Sequence, residues 1–509
     1  MKGPKVTFQW WVFGGALLLA LWEMFLEVHV PGTDVFLFKE AGVNLATKGK
    51  FVAAFLPHMA FGDEKPFAYY PPVYPFVFGL WTWIWGVGLK QSLLFDSVLT
   101  LVRTVLMLQL IVPSLPPSFF EREKRGLRWM AGFFFCLLTL VSTDRDRPDE
   151  LALVWGLLLC LVLTSAKKNS VKAILSPVLL ALVGATSPAC GVLFALVLFF
   201  WCLGQKNRFR LLLPVGAGTL FCWGLIVLPV LAGDLGSGFR FSKQAGLSTF
   251  PYLRDLAASW RWTDLMAVWV RYLGLFWKAG KSYILFAMGT MGMGLGLIAR
   301  FGRDLNSLQR TCMYSAIAYC VLAPMIWTLQ PYYLWFSGVL LLVGVFQMAG
   351  KMKPFGQRTV LTACFLFVSP LWFWEFKCVL NALEVPGEER SDEIRKQVLA
   401  EIDPSAKLAV THDQYFTFRK NKEVVNVAYW INEANQFDYL YITDLPDSRR
   451  QTPRIRQLLS DELRPCFELV KDFSTHTPFR LMGYQTRHFV RGNGGGLFKN
   501  ICKNTPQNS

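Results

Sequence analysis

Apolar runs of about 20 residues, the length needed to cross a bilayer, recur along the first three quarters of this chain. They fall near 8–28, 91–113, 127–143, 150–166, 171–187, 188–204, 210–232, 281–301, 309–329, 331–350 and 355–378. Two further stretches are less regular: 72–89 is rich in tryptophan, and 263–280 is interrupted by Arg271 and Lys278. Backbone that crosses lipid must satisfy its own hydrogen bonds, so such runs fold as helices. The reading is a polytopic α-helical membrane protein with 11–13 crossings. With 53% hydrophobic and 17% charged residues, the chain falls below the roughly 25% charged residues of soluble domains. Lys2 and Lys5 precede the first run, and Glu23 and Glu27 stand where a cleavage site would need small residues. The first helix is therefore read as retained, with its N-terminus in the cytoplasm.

A net charge of +17 accompanies no nucleic-acid motif and no basic arm. It fits cytoplasmic loops and anionic lipid head groups instead. The links Lys167–Lys168, Lys206–Arg210, Arg300–Arg310 and Lys351–Arg358 are basic, as is EREKRG at Glu121–Gly126. They cannot all share one side if every run crosses once. A partial or re-entrant helix at 72–89 relieves the conflict for EREKRG without placing that cluster outside.

Two long polar segments interrupt the apolar region, at 29–72 and 233–262. Polar loops of this length are usually functional or disordered. In the second, Leu253, Leu256, Ala257 and Trp260 at helical spacing suggest a helix lying in the interface. From about Val385 the composition becomes that of a soluble domain. SDEIRKQVLAEID and PRIRQLLSDEL read as helices, and KLAVTH, VVNVAYW, FDYLYITD, CFELVKDF and FRLMGYQ as strands, which predicts a small α/β domain. The division is thus 1–384 for the membrane part and 385–509 for the C-terminal domain. The cysteines form no CxxC pair, and His29 and His58 are too few for a metal site. Cys466 and Cys502 lie in the polar part, where an oxidising compartment would let them pair.

Four constellations carry chemistry. Asp34 stands at the exit of the first helix, with Glu40 beyond it. A carboxylate there can serve as general base on a hydroxyl, and it can equally cap VFLFKEAGVNLA. YYPPVYP, Tyr69–Pro75, is a rigid amphipathic return to the membrane, carrying Tyr69, Tyr70 and Tyr74. STDRDRPDELALVWG crowds Asp144, Arg145, Asp146, Arg147 and Asp149 together. Its Pro148 suits a helix start, and Asp149 and Glu150 suit the first turn of that helix. Paired Arg and Asp at a helix start beside lipid make a phosphate or sugar site. Arg240, Lys243, Arg254 and Arg261 give the 233–262 loop a basic set suited to a lipid-linked phosphate.

TDVFLFKEAGVNLATKGKF, YYPPVYPFVFGLWTWIWG, RPDELALVWGLLL and ATSPACGVLFALVLFFW, in this order, resemble the GT-C membrane glycosyltransferases. The likeness is in particular to bacterial relatives of protein O-mannosyltransferases and of aminoarabinose transferases. FDYLYITD and GGGLFKN are similar to the extracytoplasmic domain often found there. The resemblance implies Asp34 as general base and Asp149, with Arg147, as the second acidic position of the same cavity. Glu40, Tyr69, Tyr70 and Tyr74 are read from the first loop and the Tyr-Pro-Pro run as substrate contacts, and the resemblance implies a donor phosphate held by Arg240, Lys243, Tyr252 or Arg254. The donor would be a polyprenyl-phosphate sugar and the transfer inverting, at the outer face of the membrane. Two positions depart from the family pattern: Val35 replaces an acidic residue, and Ser187 replaces a lysine.

The partners so implied are membrane lipids, the polyprenyl-linked sugar and an acceptor glycan, lipid or protein, with no nucleic acid. The absence of an N-x-S/T sequon favours a bacterial inner membrane, with the C-terminal domain extracytoplasmic. Two other readings stay open. A catalytically silent scaffold subunit of a membrane complex would tolerate Val35 and Ser187. A lipid-linked sugar transporter or flippase would carry mid-helix charges, for which Asp96, Arg103 and Arg271 are the candidates.

Overall fold

The computed structural model describes residues 34–54, 70–114, 147–165, 169–205, 208–233, 306–326, 335–349, 390–427, 436–443, 466–473 and 495–502, with shorter stretches and single positions outside them. The first polar segment contributes two short helices among the described residues, α1 (Asp34–Phe38) and α2 (Glu40–Lys48). They lead to α3 (Val73–Trp85), α4 (Leu89–Ile111), α5 (Asp149–Thr164), α6 (Asn169–Gly184), α7 (Pro188–Leu203), α8 (Arg208–Gly233), α9 (Ser307–Ile326) and α10 (Trp335–Ala349). Most expected runs therefore appear as helices within a few residues of their predicted ends. The run at 127–143, much of 8–28, and most of 263–280, 281–301 and 355–378 lie outside the described residues. Among the described residues, α4 and Arg210–Val230 of α8 are long and apolar enough to cross a bilayer, and α3, α6, α7 and α10 contribute shorter apolar helices.

The helices bury small and aliphatic side chains against one another. Leu153, Leu157 and Cys160 of α5, Leu193 and Val197 of α7, Met313 and Ala316 of α9 and Val339 and Val343 of α10 share one core. By contrast, α8 exposes Leu213, Leu220, Phe221 and Leu228, as a helix against lipid does. Glycine sets one close approach. A Cβ on Gly42 of α2 would stand 2.2 Å from the Pro75 carbonyl oxygen and 2.9 Å from the Gly79 nitrogen of α3. Only glycine lets these two helices meet so closely.

The C-terminal domain opens with α11 (Ser391–Glu401) and continues through β1 (Leu408–Val410), α12 (Tyr415–Arg419), β2 (Val424–Asn426), β3 (Tyr439–Thr443) and β4 (Phe467–Asp472) to β7 (Gly495–Asn500). Its five-stranded sheet has the order β2-β1-β3-β7-β4. β1 runs parallel to both β2 and β3, and β7 is antiparallel to both β3 and β4. FRLMGYQ forms not one strand but a pair of two-residue strands, β5 (Arg480–Leu481) and β6 (Tyr484–Gln485). The helix expected in PRIRQLLSDEL lies outside the described residues. The glycine cluster becomes the start of β7, where a Cβ on Gly495 would meet the Ile442 oxygen at 2.1 Å. Cys466 and Cys502 form a disulfide that joins the flanks of β4 and β7.

Candidate active site

The first polar segment is wedged between the helix bundle and the C-terminal domain. Its helix α1 places Phe36 edge-on to Tyr415 of α12, with ring centroids 4.5 Å apart. One core joins Val35, Phe36 and Phe38 of α1, Phe78 of α3, and Phe416 and Phe418 of α12. Asp34 is the first residue of α1, one helical turn before Phe38.

At Phe38 three of the sequence constellations meet. The Arg147 guanidinium lies over the Phe38 ring, 5.5 Å from its centroid, and Tyr70 of the Tyr-Pro-Pro run packs edge-on to the same ring at 4.5 Å. Arg147 Nε donates to Asp149 Oδ2 at 2.9 Å. Ser187 Oγ donates to Asp149 Oδ1 at 2.5 Å. Asp149 and Glu150 occupy the first turn of α5 directly after Pro148, as the proline and the acids predict. Ser187 is the N-cap of α7, its hydroxyl facing the Cys190 amide, and Pro188 follows it. The residue that departs from the family's lysine is thus a hydrogen-bond partner of the carboxylate expected in the site. A further tie comes from Val73, whose amide donates to the Ala185 carbonyl at 3.2 Å and fixes the start of α3 to the α6–α7 corner.

A second cluster joins the first loop to α4. Lys39, next to Phe38, donates from Nζ to Ser92 Oγ and Asp96 Oδ2 of α4, both at 2.8 Å. Its ammonium also lies 5.0 Å from the Phe78 centroid, with Phe95 and Phe416 at 6.0 and 5.9 Å. Seven residues along α4 from Asp96, Arg103 pairs with Glu150 of α5 at 2.8 Å. The signal was in the sequence: Ser92, Asp96, Thr100 and Arg103 repeat at helical spacing and form a polar stripe on an otherwise apolar helix. Two of the mid-helix charges that a transporter reading would use are therefore partners of Lys39 and Glu150.

Glu40 lies deep in the seam between α2 and the C-terminal domain. Its carboxyl accepts from the Ala54 amide, and burial pushes it up to about 8, against the lowering pull of Arg419. Arg419 Nη2 donates to Asn44 Oδ1 at 2.8 Å, and Lys48 pairs with Glu423 across the same seam. Burial, reinforced by Glu40, also holds the Tyr415 phenol well above its ordinary range. Tyr74 is fully enclosed, edge-on to Phe95 at 5.9 Å, so it belongs to the packing of α3 on α4.

The structure thus brings Arg147, Asp149 and Tyr70 together beside the helix that Asp34 begins, and sets Glu40 and Tyr74 apart from them. The side chain of Asp34, Tyr69, and the basic loop with Arg240, Lys243, Tyr252 and Arg254 lie outside the described residues. Among the described residues, no three His, Cys, Asp or Glu side chains converge as a metal site requires.

No protein-family model matches the sequence, and no curated protein matches it significantly. Solved structures do. ArnT from Cupriavidus metallidurans bound to undecaprenyl phosphate superposes with a TM-score of 0.53 at 14% identity, over 96% of this chain and 97% of the other. The apo state of the same protein gives 0.51 at 13% identity, over the same shares of the two chains. The likeness is one of fold: this chain shares the overall fold of ArnT, the GT-C fold that its sequence motifs resemble.

Proposed function

Starting from a chain with the GT-C fold, we propose that it is a membrane glycosyltransferase moving a sugar from a polyprenyl-phosphate donor to an acceptor hydroxyl. The observation that carries this reading is the meeting of Arg147, Asp149 and Tyr70 around Phe38, one turn from Asp34, within that fold. Asp34 acts as general base on the acceptor hydroxyl, which attacks the anomeric carbon while polyprenyl phosphate departs with inversion. A phosphate leaving group needs cationic stabilisation more than an acid. Arg147, oriented by Asp149 and the Phe38 ring, supplies one cation near the first loop, and Arg240, Lys243, Tyr252 and Arg254 hold the phosphate from the 233–262 loop. The role of Asp149 is then to aim Arg147. Glu40 and Tyr74 shape the loop from behind, while Tyr69 and Tyr70 line the substrate side.

The reaction is assigned to the outer face of a bacterial inner membrane. A disulfide in the C-terminal domain fits an oxidising compartment, and that domain packs on the first loop. Helix α3 has 13 residues, too few for a hydrocarbon layer of about 30 Å. Its start is tied to the α6–α7 corner through Val73, and Lys90, just past its end, pairs with Asp392 of the C-terminal domain. It therefore turns back without crossing. With 72–89 re-entrant, as the basic links suggest, the runs up to 232 alternate so that 121–126, 167–168 and 206–210 share the cytoplasmic side. The first loop, Arg147–Asp149, the α6–α7 corner and 233–262 share the other.

Asp34→Asn is expected to lower sugar transfer in membrane preparations by about 10²–10⁴-fold, the usual worth of a general base, at unchanged protein level. Transfer at the wild-type rate would refute the assignment.

A further inference from the structure

The C-terminal domain has a polar edge that the proposed reaction has not yet used. In its sheet, the connection leaving β1 goes to β2 on one side, while the chain leaving β3 goes on to β4 beyond the other. The gap between β1 and β3 is therefore a topological switch point, and open α/β sheets bind ligands outside the carboxyl ends of their strands at such points. The residues there are polar and buried: Thr411, His412 and Asp413 after β1, Asn426 at the end of β2 and Thr443 at the end of β3.

These groups form one network. Thr443 Oγ1 lies 2.9 and 2.8 Å from the two Asp413 carboxylate oxygens. It is also 2.8 Å from Thr411 Oγ1, and Gln414 Nε2 donates to Asp413 Oδ2 at 2.8 Å. A purely structural network would close on itself. Beside this one, His412 Nδ1 is buried and, among the described residues, has no hydrogen-bond partner.

The edge also faces the proposed chemistry. Two residues past Asp413, the Tyr415 ring meets Phe36, and Phe36 is two residues past Asp34. The set offers a carboxylate, an imidazole, amides and hydroxyls, with the Tyr441 and Tyr415 rings close by. Such a set suits a neutral polyol, whose hydroxyls both donate and accept. It repels an anion.

We propose that this carboxyl edge is the acceptor site: it binds a carbohydrate through Asp413, His412, Thr411 and Thr443 beside the loop that carries Asp34. The inference rests on the glycosyltransferase reading and names the acceptor class for it.

The test uses the full-length protein in detergent micelles and saturation-transfer NMR with methyl α-glucoside and methyl N-acetyl-β-glucosaminide, with inorganic phosphate as a competitor. At least one glycoside should show transfer in the wild type. The signal should fall at least fivefold in Asp413→Asn, persist in Asp34→Asn and resist phosphate. Should Asp413→Asn fail to fold, His412→Gln is read in its place, and the same drop is expected. No glycoside signal in the wild type, a signal undiminished in the folded variant, or displacement by phosphate would each overturn the proposal. Undecaprenyl phosphate binding to the same samples is measured separately. If the lipid binds and the glycosides do not, the acceptor site falls and the transferase reading stands; if the lipid does not bind, the transferase reading itself fails.

Discussion

Phe38 and Lys39 are neighbours, yet they lead to two clusters built from the same parts and differently placed. Under Phe38 lie Arg147, Asp149 and Ser187; around Lys39 lie Asp96 and Ser92. Each is a cation, a carboxylate and a serine. The first is assembled at chain corners, from residues at the starts of α5 and α7, where backbone ends already favour polar groups. The second sits in the side of α4, enclosed by three phenylalanine rings, where charge has no reason to be except to join α1–α2 to the bundle. A buried ion pair adds little net stability by itself, and its value lies in fixing one arrangement. The corner cluster therefore reads as working parts and the enclosed one as a bolt that holds them in place.

That contrast can be broken by mutation. Asp96→Ala removes the carboxylate from buried Lys39 and should cost about 3–5 kcal/mol, read as a lowered thermal midpoint in detergent. Replacing both partners, with Lys39→Met and Asp96→Leu, should restore most of it. If the double variant is as unstable as the single, the bolt is not an ion pair in function. Arg147→Lys should do the reverse. Stability should change little, but transfer should fall about 10²-fold, because a point charge cannot reproduce the fixed guanidinium and small misplacements are costly. A large loss of stability with intact turnover would reverse the two assignments.

Ser187→Ala tests the corner more gently. It removes an N-cap, worth about 1 kcal/mol, together with the hydrogen bond to Asp149. Transfer should drop by less than in Arg147→Lys, because Arg147 still pairs with Asp149. A separate test concerns the neighbouring seam. Glu40 is held at about 8 in the folded protein against an ordinary 4.5. Between those values the folded state keeps a proton that the unfolded state has released, so stability falls as pH rises through the window and levels off above it. Glu40→Gln should flatten the slope of thermal midpoint against pH from about 5 to 8. An unchanged slope would mean that Glu40 does not titrate in this seam.

Much of this molecule follows from the sequence alone. Twenty-residue apolar runs must be helices in lipid, Pro148 with Asp149 and Glu150 opens α5, and the soluble pattern after residue 385 yields α11, β1, β3 and β4 close to where it predicts them. The order of short motifs carried the resemblance to the fold that the solved structures share. Other features had no local signal. Ser187 looks like a lost lysine until the α6–α7 corner brings it to Asp149. Lys39 looks like one charge of a solvated loop until α4 and α12 close over it. GGGLFKN has no strand periodicity of its own until β3 and β4 leave a gap for it. In each case the partner is far away in sequence, and local propensity carries no information about distant partners. Periodicity and caps determined which segments are helices and strands. Only the packing of α1 and α2 between bundle and domain decided which charges meet, because a buried charge takes its meaning from the group opposite it.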